Sequence, residues 1–275
     1  MTTTAPPVYD SDQRRLPFAE LRHLWRYRSL VRLLVARDLT VRYKRSILGV
    51  WWTLLNPLFT VAVLWVVFSQ VFSRAGTTVP FIVYLTAGVL VAGFFSQAVN
   101  AAGAGVINNR GILARVYVPP EVFSFAAAIA AAANFAISVI PLVIIQLVLG
   151  VGVPIDFLLV PVSIFFLLMM VAGLGLVVAS VAVMFFDVFD LVRVLSTLIT
   201  YLAATFYPLD IIPEKWQLII KLNPLYHHVT LFRSYAYDDW FSWTSFAISG
   251  LTGVVALIIG VWVFSRNWRN VVVSL

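Results

Sequence analysis

Residues able to carry chemistry are sparse in this 275-residue chain and stand almost entirely outside its apolar stretches. Asp, Glu, Lys, Arg and His are absent from 50–73, 75–109, 122–155, 157–186, 194–209 and 240–265. An enzyme acting at membrane depth needs a titratable acid or base. Carriers driven by ion gradients place ionisable groups or broken helices at the midplane. Neither device is available here. A phosphate-gripping P-loop ends in Gly-Lys, and the chain contains no such pair. It also lacks cysteine. Its adjacent His227 and His228 are splayed apart by helical geometry, which argues against a metal site. Asp187, Asp190 and Arg193 are three residues apart, a spacing for local pairing. Asp210, Glu214, Asp238 and Asp239 form the one acidic cluster that a membrane glycosyltransferase could use.

The elements that must position these residues are apolar helices. The composition is 61% hydrophobic and 11% charged, against about 25% charged in a soluble domain. The fold class is therefore an all-α polytopic membrane protein. Six stretches approach the roughly 20 apolar residues of a bilayer crossing: 50–72, 81–107, 122–149, 157–186, 194–207 and 246–264. The fifth is short. With the amino terminus inside, 15 of the 19 Lys and Arg residues fall in cytoplasmic segments, as the positive-inside rule requires. Both termini are then cytoplasmic, in a plasma (inner) membrane. The net charge of +7 marks topology and contact with anionic membrane lipids, and nucleic acid is not expected as a partner. Residues 1–17 read as a disordered tail without a cleavable signal, 18–48 as a cytoplasmic interface segment, 49–265 as the transmembrane domain and 266–275 as a cytoplasmic tail.

Three connecting segments are informative. In 18–48, Phe18, Leu21 and Trp25 share a stripe while Arg22 and Arg26 lie elsewhere, the pattern of an amphipathic helix in the interface plane. Asp38 stands four residues before Arg42, a spacing for an intrahelical ion pair. Residues 108–121 form a short loop in which Gly111 and Pro119-Pro120 bracket one or two helical turns. Residues 208–237 carry two half-length helices, the first begun by Pro213 and the second by Asn223-Pro224. With Tyr207, Trp216 and Tyr226 around them, they read as an external re-entrant or interfacial hairpin. Prolines 57, 141 and 161 fall inside spans, and runs of Gly and Ala in the second to fourth spans permit close helix approach.

In combination these residues resemble a known family. Arg37, Asp38, Arg42, Tyr43, Lys44, Ser46, Trp52 and Asn56-Pro57 look like the motif leading into the first span of membrane subunits of type 2 ABC exporters for polysaccharides, the Wzm, TagG and KpsM group. Leu113, Arg115, Tyr117, Pro119 and Glu121 resemble that group's cytoplasmic loop. Tyr207-Pro208, Pro213, Trp216, Asn223-Pro224 and Arg233 resemble its external hairpin. The group often has Arg where this chain has Phe186.

The resemblance implies a homodimer of six-span subunits around a channel, bound to two copies of a cytosolic, Wzt-like ATPase subunit. ATP and magnesium would be held by that partner, and no cofactor or catalytic residue by this chain. It implies ATPase coupling through Asn109, Arg110, Leu113, Arg115, Tyr117, Pro119 and Glu121. It implies outer-gate or glycan-contact roles for Tyr207, Pro213, Trp216, Asn223, Pro224, Tyr226 and Arg233. The cargo would be a glycan on a polyprenyl-diphosphate lipid, of O-antigen, teichoic acid or mycobacterial galactan type. An ion-free membrane interior suits a polar, uncharged polymer. An ABC exporter of a drug or lipid, or a membrane glycosyltransferase, are the alternatives.

Overall fold

The computed structural model describes residues 25–44, 46–72, 79–116, 118–185, 187–237, 241–267 and 271. Among them there is helix and turn but no strand. The helices are α1 (Arg28–Tyr43), α2 (Trp51–Phe72), α3 (Phe81–Asn108), α4 (Arg110–Leu113), α5 (Glu121–Ser138), α6 (Ile140–Val148), α7 (Val160–Ala182), α8 (Val188–Tyr201), α9 (Glu214–Lys221), α10 (Pro224–Ala236) and α11 (Trp243–Arg266). Phe18, Leu21, Arg22, Tyr117, Asp238 and Asp239 lie outside the described residues.

Five helical segments are long and apolar enough to cross a membrane. They coincide with the expected first, second, third, fourth and sixth spans. The expected fifth, 194–207, differs. Its helix α8 runs 14 residues and stops at Tyr201, about 21 Å of axis against roughly 30 Å of hydrocarbon. The prolines account for other departures. Pro141 sits in the first turn of α6, where its missing N–H costs nothing to α6 but interrupts the ladder from α5. Pro161 opens α7 after a 3-10 turn at Ile155–Leu159, so it starts a helix and does not interrupt one. Pro57 alone stands inside a continuous helix.

The bundle is built around α3, which packs against α2, α5, α7, α8 and α10 and is buried along most of its length. Small residues set its seams: Gly175 of α7 faces Ala102, and a Cβ on Gly105 would meet the Phe123 carbonyl at 2.8 Å. The most extensive contact joins α7 and α11. A Cβ on Gly173 would strike the Ala256 backbone, and one on Gly260 the Gly173 carbonyl, so the two backbones touch directly. Such approach gives dispersion and weak polar contacts between helices in a solvent where apolar burial gives little. By contrast α2 buries just Val61 among its described side chains, and α8 just Ser196. Their bare apolar faces await lipid or another subunit.

Gly173→Ala should therefore lower folded-state stability in detergent by about 2 kcal/mol or more, read as a drop in thermal midpoint. Gly111→Ala, at a position where a Cβ meets nothing within 4 Å, should change it by less than about 1 kcal/mol.

Candidate functional site

A groove of about 670 Å³ opens between α2, α3, α5 and α8, with Arg42, Tyr43, Ser46 and Gly49 also lining it. Trp52, Thr53, Asn56, Pro57 and Thr60 of α2 form one wall. Val89, Leu90, Gly93, Phe94, Ser96 and Gln97 of α3 form the floor, and Ala131, Asn134, Phe135 and Ser138 of α5 continue it. Thr197, Thr200 and Tyr201 of α8, with Phe206, form the far wall. Its described lining contains hydroxyls, side-chain amides and aromatic rings, with Arg42 as its single ionised group. The described lining holds no carboxylate, imidazole or amine that could act as a general base. What the surface offers is hydrogen bonding to uncharged polar groups and flat apolar rings beside them.

The motif leading into the first span converges on this groove, since Arg42, Tyr43, Trp52 and Pro57 all line it. Lys44 is exposed. Asp38 does not pair with Arg42: it takes the guanidinium of its neighbour Arg37 at 2.9 Å, while Arg42 faces the groove. Arg37 Nη2 also donates to Asn109 Oδ1 at 2.9 Å, and Asn109 Nδ2 donates to the Gly105 carbonyl at 2.8 Å. That competition for Arg37 replaces the expected pair.

Past Asn109 the loop makes a single turn of helix, α4. Leu113, Pro119 and Glu121 are buried and Arg110 is half-buried, while Gly111, Ile112, Arg115 and Val116 face outward. The loop is thus anchored on one side by Leu113 and Val118, within the apolar cluster that includes Leu34 of α1 and Phe264 of α11. Its other side presents a small apolar and basic knob. Trp25 and Arg26 are exposed ahead of α1, whose Val31 and Leu34 bury against the same cluster.

The segment after α8 is held by side chains acting on backbone carbonyls. Ala204, three residues past the end of α8, adopts φ 50°, a left-handed conformation uncommon for a residue with a Cβ. Arg233 of α10 is buried and stacks on Tyr84 with its guanidinium carbon 3.5 Å from the ring centre. It donates to the carbonyls of Ala204 at 3.2 Å, Thr205 at 2.9 Å and Tyr84 at 3.2 Å. The Tyr84 hydroxyl donates to the carbonyls of Ala204 and Tyr207. Asn223 reaches the Ile199 carbonyl at 2.7 Å through Nδ2, and through Oδ1 it caps α10 by accepting from Leu225 N–H. Tyr207 donates to the Tyr201 carbonyl. A buried arginine without a carboxylate is tolerable when carbonyl dipoles surround it.

The two short helices of the hairpin differ in depth. Trp216 and Pro213 are exposed and Tyr226 is half-buried, whereas α10 is buried along most of its length against α3, α7 and α11. His228, also on α10, bonds Thr252 Oγ1 through Nε2, and burial followed by the neighbouring His227 lowers its pKa to about 3. It is a neutral core imidazole. Asp210 and Glu214 are exposed.

Sequence reasoning missed Thr53, Gln97, Asn134 and Ser138 in the groove, and Tyr84 in the clamp. Asn134 had a visible signal, a lone amide in an alanine-rich stretch. Tyr84 had none.

Fold and groove together define a polytopic helical membrane protein with a polar, nearly uncharged path and an anchored knob at one end, the class of a transporter's membrane subunit. The chain belongs to the ABC-2 type transporter family, whose model matches residues 29–237. It is 28% identical over 220 residues to the O-antigen export system permease protein RfbA of Myxococcus xanthus, covering 79% of this chain and 84% of that one. It is 24% identical over 204 residues to the polysialic acid transport protein KpsM of Escherichia coli, covering 74% and 79%. It is 22% identical over 245 residues to the capsule polysaccharide export inner-membrane protein BexB of Haemophilus influenzae, covering 88% and 91%.

The clamp predicts a graded response. Arg233→Lys, which loses the planar fork and the stacking, should cost about 2 kcal/mol. Tyr84→Phe, which loses the two carbonyl bonds and keeps the stacking, should cost about 1 kcal/mol. Thermal unfolding in detergent measures both, and proteolysis should become faster between residues 202 and 213.

Proposed function

We propose that this protein is the channel-forming membrane subunit of an ATP-driven exporter of a lipid-linked polysaccharide. The observation that carries the reading is the groove: hydroxyls, amides and aromatic rings around a path with no described carboxylate. A glycan is polar and rich in hydroxyls, so it needs partners for those groups and ring faces for its sugar faces. The relatives named for O-antigen export, polysialic acid transport and capsule polysaccharide export support a polysaccharide cargo.

In this reading two copies associate through the bare faces of α2 and α8, so that their grooves face a common channel. Helix α8 makes a sixth crossing, its shortness offset by the segment 202–208. Both termini face the cytoplasm of the inner membrane, consistent with the skew of Lys and Arg. The amphipathic segment ending in α1 lies at the inner surface, and the α9–α10 pair forms a re-entrant hairpin at the outer one.

The energy comes from elsewhere. Two cytosolic ATPase subunits bind nucleotide and its magnesium and push on the knob formed by α4 and Arg115. Because Leu113 and Val118 seat that knob in the bundle and Asn109 bonds Arg37, a displacement there passes to α1 and to the groove end at Tyr43.

Reconstituting the chain with its ATPase subunit should give export of a lipid-linked glycan that requires ATP. Ile112→Asp and Arg115→Glu, exposed changes that leave the fold intact, should lower export at least about ten-fold by costing roughly 1.4 kcal/mol or more of docking. Export that persists without any ATPase would overturn the reading.

A further inference from the structure

One polar side chain in the groove is held by the fold yet left with capacity to spare. Asn134 is 8% exposed and lies 13 positions past Glu121 in α5, about 20 Å along the axis. An amide at that depth in an alanine-rich run is costly unless its hydrogen bonds are made. Its Oδ1 is satisfied: it accepts from the Tyr43 hydroxyl and from Thr53 Oγ1 at 3.2 Å. Those two hydroxyls are themselves 2.7 Å apart. Ser138 Oγ donates to the Asn134 backbone carbonyl at 3.1 Å, bracing the same turn. Three helices, α1, α2 and α5, thereby hold one oxygen in place.

The other end of the amide is different. Every side-chain hydrogen bond of Asn134 is made at Oδ1, and Nδ2 has no partner among the described residues. Nor is Nδ2 among the buried, unbonded atoms, so it has access to the groove that Asn134 lines. An amide nitrogen carries two donors and accepts nothing. Its complement is an oxygen acceptor. The surroundings say which kind. Phe94 and Phe135 lie in the same lining, stacked 4.8 Å apart, and Trp52 stands across from them on α2. Arg42, the groove's charged group, lies at the α1 end. A neutral acceptor beside an apolar ring face is the chemistry of a sugar unit, whose hydroxyl and ring oxygens accept while its C–H face packs on aromatics.

We propose that Asn134 is a binding group for neutral carbohydrate, its Nδ2 hydrogens donating to a ring or hydroxyl oxygen of a sugar in the groove. Tyr43 and Thr53 are the positioning residues that fix the amide's orientation. This rests on reading the groove as the glycan path. It adds a residue-level recognition contact and ties that contact to the end of α1, so that a shift of Tyr43 changes how the sugar is held.

The test uses the full chain with its ATPase partner in nanodiscs, without nucleotide, titrated with the neutral oligosaccharide maltoheptaose and read by saturation-transfer NMR. Asn134→Ala should weaken binding roughly ten-fold. Asn134→Asp, which keeps the shape and removes both donors, should weaken it at least as much and serves if the alanine variant misfolds. Tyr43→Phe should weaken it roughly three-fold in the wild-type background and have no effect in the Asn134→Ala background, because positioning acts through the amide. Wild-type affinity in both Asn134 variants, with binding still intact, would overturn this assignment alone. No saccharide binding to the wild-type groove would overturn the glycan-path reading and the assignment with it.

Discussion

A backbone carbonyl that leaves a helix inside an apolar bundle must find a donor, because neither lipid tails nor apolar side chains supply one. The end of α8 concentrates that demand. Carbonyls of Ile199, Tyr201, Ala204, Thr205 and Tyr207 are taken by Asn223, Tyr207, Arg233 and Tyr84, and Thr205 Oγ1 closes on Thr200. The donors come from α3, α10, the junction between α9 and α10, and Tyr207 of the segment itself. The clamp therefore does more than end a helix. It holds Thr197, Thr200, Tyr201 and Phe206 as the far wall of the groove, on a helix that buries almost nothing of its own.

The near wall is held by a different kind of joint. Helix α2 is as bare as α8, and its attachment to the bundle includes Val61 packing against Leu85 and Val89 of α3 and the Tyr43, Thr53 and Asn134 hydroxyl and amide contacts. Few side chains of either wall helix are fully buried, although Val188, Phe189, Val192 and Ile199 of α8 pack partly buried against the core, while α3, α5 and α7 are locked by glycine and alanine seams. Small-residue seams permit little adjustment, since a backbone in contact with a backbone has nowhere to go. Hydrogen-bonded walls on a rigid floor can shift relative to one another.

Much of the framework was legible in the residues. The long apolar runs placed the five helical segments long and apolar enough to cross a membrane, because hydrocarbon admits few other structures. Gly111 and Pro119-Pro120 marked the one-turn helix, and Asn223-Pro224 marked the start of α10. The groove was not legible as a site. Its polar residues occur one or two to a helix, each unremarkable in its own run, and only the packing of α2, α5 and α8 on α3 brings them together. The depth of α10 was also hidden, since its composition, with two histidines and an arginine, reads as surface. Arg233 is buried because the turn after α8 supplies carbonyls that no sequence pattern announces. The Gly173 and Gly260 contact could have been read from Gly253 and Gly260 standing seven apart in α11, two turns on one face.

The distribution of charge closes the argument about energy. Arg37, Asp38, Arg110 and Arg115 sit in or beside the loop and α1. Asp210, Glu214, Lys215, Lys221 and Arg233 belong to the hairpin. Between them the groove carries Arg42 and otherwise neutral polar groups. The described groove lining holds no carboxylate or imidazole of the kind ion-coupled carriers use, and the sequence contains no P-loop. In the function proposed above, work arrives mechanically, at a surface stiff enough to transmit it. The α4 knob meets that requirement, since Leu113 is fully seated in the core and Asn109 bonds Arg37 on α1, the helix whose last turn ends in Tyr43 at the groove.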